Sequence, residues 1–166
     1  MARVKKVGMK QVALLLLGLG LILSAQSTKA QSKRKRKKAN IKLVISTAEG
    51  YKGTPYQYGG NSRNGIDCSA LMQNSFSKAG YQIPRTSKEQ SKYGKKVGWN
   101  RVRPGDIVFF KFKEKRKKWY HSGLITSVDG DNIYFIHAST SRGVIQSNLS
   151  NDYYKSNVKT FRRVIK

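Results

Sequence analysis

Helical periodicity in the first half of the chain and strand periodicity in the second predict an α+β fold, with N-terminal helices packed on an antiparallel β-sheet of about five strands. Three observations carry the prediction. Between residues 40 and 93 apolar side chains recur at helical spacing, and the runs are bounded by glycines and capping residues. Beyond Pro104-Gly105 they gather into short runs of branched and aromatic residues separated by turn residues. A length of 166 residues leaves room for one domain with a core and too little for two, and no internal repeat is visible.

Residues 1–30 read as a signal peptide rather than as part of the fold. Arg3, Lys5, Lys6 and Lys10 lead into the unbroken apolar stretch Val12–Leu23, which is short for a membrane span of about 20 residues. Cleavage after Ala25 or after Ala30 fits the small residues there; an uncleaved anchor is the alternative. No cysteine lies near the end of the apolar stretch to take a lipid. Residues 31–39 carry six consecutive bases, Lys33-Arg34-Lys35-Arg36-Lys37-Lys38, with no apolar face, and predict a basic disordered arm.

From residue 40 to 166 the chain reads as the folded domain. Ile41, Val44, Ile45 and Ala48 predict a short amphipathic helix over residues 40–50, ended by Gly50. Gly53–Gly60 is a glycine-rich turn region and Asn61–Gly65 a polar loop. A second helix is expected over 68–79, with Asp67 as its N-cap and Gly80 closing it. Thr86-Ser87-Lys88-Glu89 fits a capping box and opens a third, through about Tyr93. Strands are expected at Asp106–Phe110, Trp119–Val128, Ile133–Ser139, Val144–Leu149 and Val158–Ile165. Between the first two lies a second basic cluster, Lys111, Lys113, Lys115, Arg116, Lys117 and Lys118, which reads as a solvated hairpin loop or as a contact to anionic polymer.

The 34 Lys and Arg against 8 acids, a formal charge of +26, point first to a polyanion such as nucleic acid. The export signal redirects that inference. Removing residues 1–30 takes five bases and no acids, leaving 29 against 8 in a compartment where the anions are wall polymers and lipid headgroups. The expected partner of the arm is therefore an anionic envelope polymer, with no nucleic acid partner and no permanent membrane anchor.

One cysteine makes no intrachain disulfide, and an exported lone thiol is exposed to oxidation, so Cys68 is either a buried inert side chain or a nucleophile. At the head of a helix it meets unpaired N–H groups and the positive dipole end, which favour the thiolate. The chain has two histidines, His121 and His137, to serve as base. A hairpin turning through Val128-Asp129-Gly130 sets Ser127 against Asp131 and His121 directly opposite His137; a one-residue slip parts them to opposite faces. On these grounds either ring could face the thiol. Two histidines without matching carboxylates are too few for zinc, and neither a metal nor another cofactor is expected.

Six segments occur in order: Thr54-Pro55-Tyr56-Gln57-Tyr58-Gly59-Gly60, Gly65-Ile66-Asp67-Cys68-Ser69-Ala70-Leu71, Ile83-Pro84-Arg85-Thr86-Ser87, Arg103-Pro104-Gly105-Asp106-Ile107-Val108-Phe109-Phe110, His121-Ser122-Gly123 and Phe135-Ile136-His137-Ala138-Ser139. Together they resemble the NlpC (NlpC/p60) family of cell-wall cysteine endopeptidases over about residues 40–166. The resemblance implies a papain-like core and a Cys-His-His set of Cys68, His121 and His137, in that order of roles. It implies that Tyr56 stands beside the nucleophile to position substrate or support the oxyanion. It also implies that Asp67, Ser69, Arg85 and Ser87 line the substrate groove; Asp67 and Ser87 read equally well as helix caps. The activity implied is hydrolysis of amide bonds in peptidoglycan stems or cross-links near D-glutamate or diaminopimelate. Apart from the resemblance, the export signal predicts a location in the periplasm, cell wall or extracellular space, and a monomer is expected. Ala70 replaces the family's usual glycine, Ser122 its usual branched residue, and the lysine-rich insertion before His121 is longer than expected. A non-catalytic wall-adhesion protein, or an acyltransferase or amidase on the same scaffold, is the alternative.

Overall fold

The computed structural model describes residues 9–114 and 117–166, with side chains from residue 29 onward except those of 113–119. The start of the expected signal peptide, with Arg3, Lys5 and Lys6, and the tip of the basic hairpin at 115–116 lie outside the described residues, as do the side chains of Val12–Leu23. The chain divides into two units, Met1–Lys38 and Ala39–Lys166.

Helix α1 runs Met9–Glu49. It corrects the expectation of a disordered arm: residues 31–39 are helical, with the side chains of the basic run exposed and that of Lys37 partly so. Lys and Arg are strong helix formers and neither glycine nor proline interrupts residues 21–49, so propensity prevails over repulsion among like charges. The apolar stripe begins at Ile41: Val44 and Ala48 are fully buried, with Ile41 and Ile45 packed beside them. Among the described residues no helix is long and apolar enough to cross a membrane.

A short hairpin, β1 (Asn61–Ser62) and β2 (Gly65–Ile66), precedes helix α2, Cys68–Lys78. The expected caps are both present. The Asp67 carboxylate accepts the Ala70 N–H at 2.7 Å, and Gly80, at φ +82°, lets the N–H groups of Gly80 and Tyr81 return to the carbonyls of Ser77 and Phe76. Helix α3, Ser87–Gln90, stops short of the expected Tyr93, and its cap is Thr86, whose hydroxyl accepts the Glu89 N–H and donates to the Glu89 carboxylate.

The main sheet is antiparallel and has six strands where about five were expected: β3 (Lys95–Val97), β4 (Asp106–Glu114), β5 (Lys117–Asp129), β6 (Asn132–Ser139), β7 (Gly143–Asn148) and β8 (Val158–Arg163), in the order β3-β8-β4-β5-β6-β7. The added strand is β3, three residues with no apolar run to announce it. A one-turn helix, α4 (Asp152–Lys155), links β7 to β8 and is capped by Asn151. Alternation along β4 fills both faces: Ile107 and Phe109 pack with Val44, Leu71 and Phe76, while Val108, Phe110 and Phe112 join Ile125, Phe135 and Phe161. Arg163 on β8 grips Asp106 at the start of β4 through two bonds of 2.7 Å, and Asp106 is 1% exposed.

Two expectations about β5 are corrected. Residues 111–118 are mostly ladder rather than loop, since β4 and β5 stay paired out to Glu114 and Lys117; Phe112 alternates with lysines and is buried, which is strand patterning. The β5–β6 turn spans two residues rather than three, with Asp129 facing Asn132 and Gly130 at φ +54°, and a bulge follows between Ile125 and Ser127. Leu124 then faces Ile136, a register that sets His137 against Gly123 and makes His121 its diagonal neighbour.

Candidate active site

Cys68 stands at the first position of α2, and 7% of its surface is exposed. Its sulfur lies 3.2 Å from Ser87 Oγ at the head of α3, and Ser87 Oγ is in turn 3.2 Å from Ser122 Oγ on β5. The His121 side chain and the Ser122 backbone also hydrogen-bond the thiol. Burial pushes the thiol up; the charge and hydrogen bond of His121, the Ser87 hydroxyl and the Ser122 backbone outweigh it and bring Cys68 down to about 7.

The two histidines meet although they are not directly opposed. His121 Nε2 is 2.8 Å from His137 Nδ1, with the rings nearly perpendicular at 86°. That bond leaves the other nitrogen of His121, Nδ1, for the thiol. Behind the pair, His137 Nε2 is 3.0 Å from Ser147 Oγ on β7 and 3.4 Å from the Tyr154 hydroxyl on α4. Phe135 stacks on His137 at 4.8 Å. Burial first, then the charges of His121 and Arg142, hold His137 down to about 3, so the ring is neutral. A neutral ring that accepts at Nδ1 carries its proton on Nε2, where Ser147 receives it. His137 can thus accept a hydrogen bond from a protonated His121 without itself taking charge.

A cavity of about 590 Å³ opens on the thiol side, and Tyr56, Asp67, Cys68, Ser69, Arg85 and Ser87 all line it. Asp67 is spoken for within the protein. Its Oδ1 accepts from Ala70 N–H, the Ser69 hydroxyl and Arg85, and its Oδ2 from Gly59 N–H and the second arm of Arg85 at 2.8 Å. Burial raises this carboxyl, and the hydrogen bonds from Arg85, Ala70 and Ser69 together with the charge of Arg85 carry it below its usual range. Arg85 also donates to Gly59 O, so the cluster ties the glycine-rich loop, α2 and the segment before α3 into one wall. Ser87 is not the cap of α3; its hydroxyl is on the thiol instead. Tyr56 is raised by burial and by the nearby negative groups Cys68 and Asp67, which keeps its phenol protonated.

Sequence reasoning missed Ser122, Ser147 and Tyr154. Ser122 stood out only as a departure from a pattern, and the other two are common residues that carry no signal until β7 and α4 are placed behind His137. No group of three or more His, Cys, Asp or Glu able to hold a metal occurs among the described residues.

Helices on an antiparallel sheet, a thiol at the head of a helix and two histidines on neighbouring strands define the papain-like class of cysteine peptidases. The chain belongs to the NlpC/P60 family, whose model matches residues 53–163. It is 38% identical over 120 residues to "Probable endopeptidase NlpC" of Escherichia coli K12, covering 70% of this chain and 73% of the relative. It is 37% identical to "Murein DD-endopeptidase MepS/Murein LD-carboxypeptidase" of the same strain, covering 69% of this chain and 58% of that one. Among solved structures, an NlpC/P60 family protein from Bacillus cereus ATCC 10987 superposes with a TM-score of 0.68 at 28% identity, over 76% of this chain and 40% of its own.

Proposed function

We propose that this chain is an exported cysteine endopeptidase that hydrolyses amide bonds in peptidoglycan stems or cross-links, with Cys68 as nucleophile, His121 as base and acid, and His137 as the group that orients His121. The observation that carries the reading is the continuous chain Ser87, Cys68, His121, His137 and Ser147, each within hydrogen-bond reach of the next. Two similar proteins support the substrate class: one is named an endopeptidase, and the other a murein DD-endopeptidase and murein LD-carboxypeptidase.

His121 takes the Cys68 proton, and the thiolate attacks the acyl carbon. The first-turn N–H groups of α2 and the Tyr56 hydroxyl stabilise the oxyanion. Collapse of the tetrahedral intermediate breaks the C–N bond as His121 returns its proton to the leaving amine. Water then gives a proton to His121, its oxygen attacks the thioester, and the thiol is regenerated with release of the acid. His137 accepts from His121 Nε2 throughout. Residues 1–30 are proposed to direct export, and the basic run of α1 to hold the enzyme on anionic wall polymer.

The test is digestion of purified wall by the full chain and by Cys68→Ala, with mass analysis of the released fragments. Cys68→Ala is expected to release none above background; equal release by both proteins overturns the thiol mechanism.

A further inference from the structure

We propose that Arg142 binds a carboxylate on the leaving half of the substrate, close to the departing amine; this rests on the peptidase reading above. In that reaction His121 protonates the leaving nitrogen, so the acyl half lies on the Cys68 side and the leaving half on the histidine side. A second cavity of about 410 Å³ opens there, and His121, His137, Ser139, Arg142, Asn151 and Tyr154 are among its walls. No Asp or Glu lines it.

The cation in this cavity is uncompensated. Arg85, on the acyl side, is closed onto Asp67. Arg63, Arg162 and Arg163 each donate to a carbonyl or carboxylate. Arg142 is exposed and has no hydrogen-bond or ion-pair partner among the described residues. It also stands near enough for its charge to act on His137.

Its position is built. Gly143, at φ +68°, follows it, and a Cβ there would lie 2.4 Å from Thr54 O. Val144 N–H donates to Thr54 O at 2.9 Å and Gly53 N–H to Val144 O at 3.0 Å. The turn between β6 and β7 is thus seated on the loop that delivers Tyr56, which fixes the backbone that carries Arg142 against that loop. A planar guanidinium with no internal acceptor, among hydroxyls and beside a carboxamide, is suited to bidentate recognition of a carboxylate.

The experiment uses L-Ala-γ-D-Glu-diaminopimelate with both diaminopimelate carboxyls free, with each amidated singly, and with both amidated. Turnover is measured for the full chain, Arg142→Ala and Arg142→Lys. In parallel, free diaminopimelate and its diamide are titrated into full-length Cys68→Ala and into Cys68→Ala/Arg142→Ala. The native enzyme is expected to prefer the free acid by about tenfold in kcat/KM. Arg142→Ala removes that preference and Arg142→Lys restores part of it, the binding arm shows the same loss, and the singly amidated peptides identify the carboxylate. Acid preference that survives Arg142→Ala, or equal binding of acid and diamide to Cys68→Ala, overturns the proposal. Arg142-dependent acid binding without Cys68-dependent cleavage instead overturns the peptidase reading and leaves the carboxylate site standing.

Discussion

Cys68 is poised by residues far from it in sequence. Its ionisation is a contest between burial, which favours the thiol, and His121, Ser87 and Ser122, which favour the thiolate and win. Alkylation by iodoacetamide, followed by mass spectrometry across pH, is expected to rise with a midpoint about 7, below the ~8.5 of a free cysteine. The sign follows from the reactive species: only the thiolate alkylates, so a depressed thiol stays reactive to lower pH. His121→Ala removes the largest lowering cause and leaves burial in place, so the midpoint moves up; an unmoved midpoint would mean that His121 does not act on the thiol. Cys68 and the histidines stood out by their scarcity, and Asp67, Ser69 and Arg85 by motif. The bond from Ala70 is the cap the sequence predicts, whereas those from Gly59 and from both arms of Arg85 were not legible, because only folding brings these residues to the Asp67 carboxylate.

Between elements, β5 and β6 decide whether the histidines meet. Their closeness depends on Gly123, where a Cβ would lie 2.5 Å from Phe135 Cδ2 and 3.2 Å from Ile136 O. Phe135 is fully buried and stacks on His137, so it has nowhere to retreat without tilting that ring. Gly123→Ala is expected to cost about 1–3 kcal/mol in urea unfolding and to lower kcat more than it raises KM, since the substrate walls around Asp67 and Arg85 are untouched. Unchanged stability and turnover would show that the β5–β6 contact yields freely. The pairing of these strands was legible from periodicity, whereas its register was not: a two-residue turn at Gly130 and a bulge at Thr126 replaced the three-residue turn, and their effects leave both rings on one face.

At the scale of the whole molecule the dominant feature is charge, +26 over 166 residues. The six bases from Lys33 to Lys38 lie on α1, five of them exposed and Lys37 partly so, a helical run of like charge rather than a loose arm. Replacing all six by glutamine keeps helix propensity and removes the charge. Sedimentation with purified wall at low ionic strength is expected to weaken and to lose much of its salt dependence, while turnover of a short soluble peptide is unchanged. Wall association equal to that of the native chain would exclude the run as an anchor.

The amino-acid sequence by itself determined the fold class, the helix that begins at Cys68, its caps at Asp67 and Gly80, and the set of thiol and two histidines. Those features are local: periodicity, capping and residue type act within a few positions of one another. Tertiary structure alone decided that Ser87 touches the thiol rather than capping a helix, that His121 and His137 meet diagonally, that Ser147 and Tyr154 stand behind His137, and that Arg142 faces an open cavity without a partner. Each of those depends on strand register and on the close approach of distant segments, which sums small energies over the whole sheet and leaves no mark at any single residue.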